Sequence, residues 1–369
     1  MSKQIPDFKN KLADSMDRGA AWLSSAVVEE GRFEQCPFDL AGYYKSIVLF
    51  ATAGRWDHGA RCLNFIKENL VNEKNHLCHD GRKTELGFMQ RNLSNYMDAW
   101  VALGSWMLGD YRFSEMICRN LIKQQNSMTG GVKTGPLVYA IRERYDLATA
   151  ASCGRAFLIT GNRGASLKAA EFMCEALERQ TDLLTGLDLS FDRNWRSVRQ
   201  DDLSERTYYR YIFDRQREKV WIPAFCSVAM SEMYKVFRRR DYLSAAESYF
   251  NFITLLPEFR ESTLADGKSA WAAGLLAEIT RKEKYKNAFY MMLSNMLARQ
   301  RPSGEFGTRG EIDFGGGQPE YSGAEESEDA LFSERYDRTA ELTLCSAASV
   351  RIDNSFKTGA AFDGETVVF

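Results

Sequence analysis

The chain has 369 residues, 44% of them hydrophobic, with Lys+Arg 48 against Asp+Glu 50 and a net charge of −2. That apolar share is enough to bury a sizeable core, and the near-balance of charge excludes a global pull toward nucleic acid or an anionic membrane. The N-terminal stretch Met1 to Asn10 lacks the apolar centre of a signal peptide, and no apolar run reaches about 18 residues, so the expectation is a cytoplasmic protein without a membrane span.

Hydrophobic spacing predicts twelve amphipathic helices. The first runs from Asp7 to Glu29, with Leu12, Met16, Ala20 and Leu23 on one stripe. The second runs from Asp39 to Gly54, and the third carries Trp56, Ala60, Leu63 and Ile66. The fourth and fifth meet at Gly109, and the sixth and seventh at Gly161. The eighth begins near Lys219, with Pro223 in its first turn, and the ninth ends near Pro257. The tenth follows Asp266-Gly267, the eleventh carries Phe289, Met292, Leu293, Met296 and Leu297, and the twelfth begins at Asp337.

Connections alternate between short and long. Short turns fall at Ala53 to Arg55, Leu108 to Asp110, Thr160 to Asn162, Arg239 to Asp241 and Lys282 to Lys284. Long polar stretches run from Gly31 to Phe38, Asn72 to Asn92, Ser127 to Tyr145, Asp182 to Glu218, Glu258 to Gly267 and Arg301 to Tyr336. Short connections join antiparallel neighbours, so six helical hairpins close into a ring. The fold class is all-α, an (α/α)6 toroid with its long loops on one face, built as a single domain over residues 1–369. The even-numbered helices are richer in small residues, as in Ala148 to Cys153 and Ala270 to Gly274, and form the inner ring. Their N-termini converge on the long-loop face, where unpaired N–H groups favour negative charge.

Candidate site residues cluster at those N-termini. Glu-Arg-Tyr-Asp occurs twice, as Glu143-Arg144-Tyr145-Asp146 before the sixth helix and Glu334-Arg335-Tyr336-Asp337 before the twelfth. In a six-unit ring these stand opposite each other. Each reads either as an N-cap beside a packed aromatic or as opposed carboxylates and phenols able to exchange protons. Asp39 holds the equivalent place before the second helix, followed by Tyr43, Tyr44 and Lys45, of which Lys45 could lower a phenol's pKa. The catalytic candidates are therefore Asp39, Tyr44, Asp146, Tyr336 and Asp337. Tyr43, Lys45, Tyr96, Asp98, Tyr145, Trp221, Trp271, Arg338 and Glu341 are substrate-binding candidates, Arg338 and Glu341 close enough to pair with each other. The two Trp would wall a pocket with Lys219 and Lys268 beside them, although a Trp taken alone is more often core.

Other signals point away from familiar chemistry. His76, Cys78, His79 and Asp80 lie within one loop, whereas a zinc site draws ligands from separated segments, so no metal is expected. Eight scattered cysteines read as reduced thiols, and Cys153, Cys226 and Cys345 as small buried residues. No phosphate-cradling Gly loop follows a strand, and Gly315 to Gly317 reads as a lid or hinge. No cofactor is implied. Arg193, Arg196, Arg199, Arg206, Arg210, Arg215 and Arg217 crowd one loop.

The odd-numbered helices end in a repeated form: Phe113 to Gln124 leads to Gly130-Gly131-Val132, Phe172 to Gln180 to Gly186-Leu187, and Phe289 to Gln300 to Gly304-Glu305-Phe306. This resembles a degenerate Q-x-G-x-W repeat of squalene and hopene cyclases, and with the ring it resembles the terpenoid-cyclase toroids. The Asp-x-Asp-Asp acid of hopene-type cyclases is missing. In general architecture linalool dehydratase-isomerase is also similar, and its acid, phenol and thiol groups would be compatible with Asp39, Tyr44 and Cys153. The resemblance implies the toroid and a pocket at one end. The function expected is a cofactor-independent cyclase, isomerase or lyase that works by acid/base chemistry on a small, largely apolar metabolite in a central cavity. Two alternatives stand beside it: a carbohydrate-active enzyme, glycosidase or sugar epimerase, using opposed carboxylates, and a non-catalytic ring that binds a partner through its Arg-rich loop.

Overall fold

The computed structural model describes residues 5–72, 76–77, 88–135, 143–199, 209–213, 220–306 and 328–358. Among them are twelve helices of seven residues or more: α1 Ile5–Ser25, α2 Ser46–Thr52, α3 Trp56–Asn69, α4 Phe88–Met107, α5 Tyr111–Lys123, α6 Leu147–Ile159, α7 Arg163–Glu178, α8 Trp221–Phe237, α9 Arg240–Ile253, α10 Gly267–Thr280, α11 Glu283–Leu297 and α12 Glu328–Thr358. Four short strands, β1 Tyr145–Asp146, β2 Gly186–Asp188, β3 Ser190–Phe191 and β4 Arg210–Ile212, pair antiparallel as β1 with β3 and β2 with β4.

Contacts between helices close a ring. Around the axis α2 packs on α4, α4 on α6, α6 on α8, α8 on α10, α10 on α12, and α12 returns to α2. Outside them α3 covers α2, α5 covers α4, α7 covers α6, α9 covers α8, α11 covers α10, and α1 covers α12. The fold is an (α/α)6 toroid. Burial follows the layers. Every residue of α6 from Leu147 to Leu158 is buried, as is every residue of α10 from Gly267 to Ala277, whereas α3 and α5 bury one face only. A helix covered on all sides has no polar stripe to spare.

Small residues set how closely the layers approach. A Cβ built on Gly154 would lie 2.5 Å from the Met233 Cε atom, and one on Gly274 2.8 Å from the Phe289 ring. The short turns reverse the chain through a left-handed residue just past the helix end. Gly54, Gly109 and Gly161 supply it at three turns, and Arg238 and Arg281 adopt the same conformation at the other two.

Two of the repeated outer-helix ends are staples between neighbouring units, the first through Gln125 and not Gln124. Gln125 donates to Gly130 O at 2.9 Å and to Ala165 O of α7 at 3.0 Å. Gln300 donates to Gly304 O at 2.8 Å and to Ser15 O of α1 at 2.9 Å. Gly130 and Gly304 have positive φ, and a Cβ there would fall 2.1 Å from Lys168 O and 2.3 Å from Arg18 O. The glycine lets each exit hairpin lie against the next outer helix.

Two boundaries near the site differ from the sequence expectation. The second helix is broken: a 3-10 turn at Leu40–Gly42 precedes α2, which starts at Ser46. Asp39 caps that short turn by accepting from Ala41 N at 2.9 Å. The twelfth helix begins at Glu328, not Asp337. Asp337 therefore lies inside a helix and is not its N-cap, and its carboxyl is turned across to α2 instead.

Candidate active site

Four charged side chains from three inner helices meet at the long-loop end of the ring. Lys45 directly precedes α2, Lys268 is the second residue of α10, and Asp337 and Glu341 stand one turn apart on α12. The four-residue spacing puts both carboxyls on one helix face. Lys45 Nζ is 2.9 Å from Asp337 Oδ1. Lys45 and Lys268 both donate to one oxygen of Glu341, Oε2. Tyr44 completes the group as a neighbour of Asp337, and the ionisation of each affects the other. A close approach of α10 to α12 makes this possible: a Cβ on Gly267 would lie 2.8 Å from Cys345 Sγ.

The ammonium groups lie behind and the carboxyls face outward. The Lys45 and Lys268 side chains are 3% and 2% exposed, while Asp337 and Glu341 retain 22% and 18%. Burial would raise the proton affinity of both acids, but their partners differ. For Glu341, the ammonium groups of Lys268 and Lys45 outweigh burial and hold the carboxyl well below its ordinary value. For Asp337, burial prevails over Lys45, with the neighbouring Glu341 charge adding to it, and the carboxyl is raised. Tyr44 is raised well above its ordinary value by burial and by Asp337, so it stays a phenol. Two carboxyls one turn apart are thus pushed in opposite directions, the arrangement that separates a proton donor from an ionised partner.

Beneath this cluster the axis is packed with rings. Tyr44 meets Tyr96 at 6.0 Å between centroids, Tyr96 meets Trp221 at 5.6 Å, and Trp100 stacks on Phe225 at 5.6 Å. Lys268 lies 4.8 Å from the Trp221 ring. Deeper still, Arg155 grips Glu232 at 2.6 and 3.2 Å and lies 4.6 Å from the Trp271 ring and 5.2 Å from Phe225. Of the two Trp expected to wall a cavity, Trp221 packs on Tyr96 while Trp271 belongs to this deeper layer.

The remaining sequence candidates take other places. Asp146 does cap α6, accepting from Thr149 N at 2.7 Å and from the Thr149 hydroxyl at 3.1 Å. Burial raises its carboxyl against the opposing effect of Arg144. Arg144 itself bonds Asn92 at 3.1 Å. Tyr145 turns its hydroxyl to Glu143 and Asn126, in a polar pocket of about 260 Å³ that also includes Lys133 and Gln124. Tyr43 bonds Pro37 O and Phe33 N at 2.9 Å and stacks on Phe65, between α2 and α3. Tyr336 bonds Gln35 and stacks on Phe33. Asp98 is partly exposed and adds to the burial that raises the Cys153 thiol. Arg338 is partly buried, and Glu341 pairs with the two lysines. Cys153, Cys226 and Cys345 are buried thiols raised by desolvation. Lys219, Arg206, Arg215, Arg217, Cys78, His79, Asp80 and Gly315 to Gly317 lie outside the described residues.

Sequence reasoning gave Lys268 only a place beside Trp271 and passed over Arg155 and Glu232. Each is a charged residue in a run of small or apolar ones, and that interruption is the signal available. A charge on a helix buried all round requires a partner.

No protein-family model matches the chain, and no curated protein matches it. Solved structures do match. The chain is similar to a D-mannose isomerase (TM-score 0.65, 10% identity, covering 95% of this chain and 97% of that one). It is similar to a family 76 α-mannanase from Bacteroides thetaiotaomicron (TM-score 0.61, 11% identity, 93% and 97% covered). It is also similar to the type II terpene cyclase MstE from Scytonema (TM-score 0.56, 14% identity, 93% and 99% covered). At such identities the likeness is one of fold: the α/α toroid that these proteins share. Among the described residues, no helix is long and apolar enough to cross a membrane.

Proposed function

We propose that the protein is an enzyme that works by proton transfer at the long-loop end of the toroid, as an isomerase, cyclase or lyase of a small metabolite. The observation that carries this reading is the uneven pairing on α12, where Glu341 meets two ammonium groups and Asp337 shares one. Asp337 is the proton donor, kept protonated by burial, and Tyr44 and the Lys45 ammonium stabilise the carboxylate it leaves. Glu341 stays ionised, with Oε2 committed to two lysines, so that Oε1 is left to accept a proton or to stabilise positive charge on the substrate. Asp146 is a weaker candidate, because both its oxygens are engaged by Thr149. The toroid neighbours, an isomerase and a terpene cyclase among them, support a ring of this kind as a scaffold for such chemistry.

The test uses purified protein in heavy water, with small prenyl-type and sugar substrates screened by mass spectrometry for isomerised, cyclised or dehydrated product and for solvent deuterium at carbon. Turnover should fall by about 10²–10⁴-fold in Asp337→Asn, the usual contribution of a positioned acid, while the circular dichroism spectrum is kept. Full turnover in that variant removes Asp337 from the chemistry.

A carbohydrate enzyme is the second reading, and one observation favours it. A single ammonium bridges Asp337 and Glu341, which keeps the bridged oxygens within about 6 Å, two hydrogen-bond lengths. Retaining glycosidases place their carboxyls about 5–5.5 Å apart. Turnover confined to the sugar arm of the screen would select this reading.

A further inference from the structure

Glu341 is held by two ammonium groups from different helices, and only one of them also touches Asp337. Lys45 contacts both carboxyls. Lys268 contacts Glu341 alone, from α10, with its Nζ over Trp221 at 4.8 Å and Phe225 at 5.4 Å. Among the described residues the chargeable neighbours of this group include Tyr44 beside α2, Tyr96 on α4, Asp266 at the start of α10 and Cys345 on α12. Asp266 already accepts from Ser269 N and Oγ at 2.7 Å. With both carboxyls ionised, Lys45, Lys268, Asp337 and Glu341 sum to zero charge. Without Lys268 the same group carries one uncompensated negative charge in a buried place, and a proton is the cheapest way to remove it.

We propose that Lys268 is a positioning residue that directs the exchangeable proton to Asp337 by holding Glu341 as the ionised member of the pair. This rests on the proton-transfer reading above and extends it to a residue that contributes without touching substrate. Lys45 cannot make the choice alone, because it attracts both carboxylates. The asymmetry comes from Lys268, which reaches only one.

The test follows the carboxyl carbons of ¹³C-labelled Asp and Glu by NMR across pH, in wild type, Lys268→Met and Lys268→Arg. Asp337→Asn and Glu341→Gln serve to assign the signals. In wild type the Asp337 signal should titrate above ordinary carboxylates while Glu341 stays ionised. In Lys268→Met the Glu341 signal should begin to move with pH, and the pair should keep its proton to a pH about 1–3 units higher, the effect of one close charge. Lys268→Arg should restore the wild-type pattern, which loss of packing alone would not predict. An unchanged Glu341 signal in a folded Lys268→Met protein overturns the role of Lys268. A wild-type Asp337 that titrates as an ordinary carboxylate overturns the proton-donor reading instead, so the two failures are distinct.

Discussion

At the scale of single residues, burial and partner choice together decide what each charge does. Glu341 and Asp337 are neighbours on one helix, yet Glu341 has two ammonium groups and Asp337 shares one. The sign of the pH dependence follows. A carboxyl held below its ordinary value contributes stability that is present above about pH 4.3, the unfolded Glu value, and is lost as pH falls through the folded one. The melting temperature of Glu341→Gln should therefore lie below that of wild type at neutral pH, and the gap should close as pH is lowered past about 4.3. A gap independent of pH would mean that the Glu341 charge contributes nothing to the fold. Asp337 acts in the opposite direction: its raised carboxyl favours the folded state below the ordinary Asp value, and that contribution is lost as pH rises through the folded one.

Elements are joined by a device that recurs around the ring. Two exit hairpins use a glutamine amide to bind their own turn and the next outer helix, and a left-handed glycine to approach it. Gly304→Ala would put a Cβ 2.3 Å from Arg18 O at a φ of +102°. Strain and displacement of that order should cost about 1–3 kcal/mol in urea denaturation. Gly164→Ala is the contrast, since a Cβ there meets nothing within 4 Å. At an exposed helical position alanine is favoured by up to about 1 kcal/mol, so that variant should be neutral or more stable. Equal losses in both would show that close approach is not the reason for Gly304.

For the whole molecule, closure is the property that matters. α12 is covered outside by α1, and it carries both carboxyls of the candidate site. The first and last helices of the described chain thus pack together, and Gln300 ties α1 to the end of α11 through Ser15 O. Removing residues 1–25 should strip α12 of its outer layer. We expect a loss comparable with the whole stability of a domain, about 5–15 kcal/mol, seen as absence of a cooperative urea transition. A truncated chain with an unchanged midpoint would mean that the ring closes without α1.

Periodicity, small-residue runs and the alternation of short and long connections were enough to establish helices, inner and outer layers and the end of the ring where charges gather. These are local or repeated features, and helical spacing makes them legible without coordinates. The pairing of side chains was not legible in that way. Positions near helix starts mark Tyr44, Lys45, Asp337 and Glu341 as candidates, but sequence proximity pairs Glu341 with Arg338 because both lie on one helix. Its partners come from α2 and α10, far away in the chain. Likewise Asp146 and Asp337 share a tetrapeptide, yet one caps a helix and the other reaches across to a neighbour. Which buried charge meets which is set by the closing of the ring, since the cost of desolvation is met only by partners that tertiary packing brings within hydrogen-bond reach.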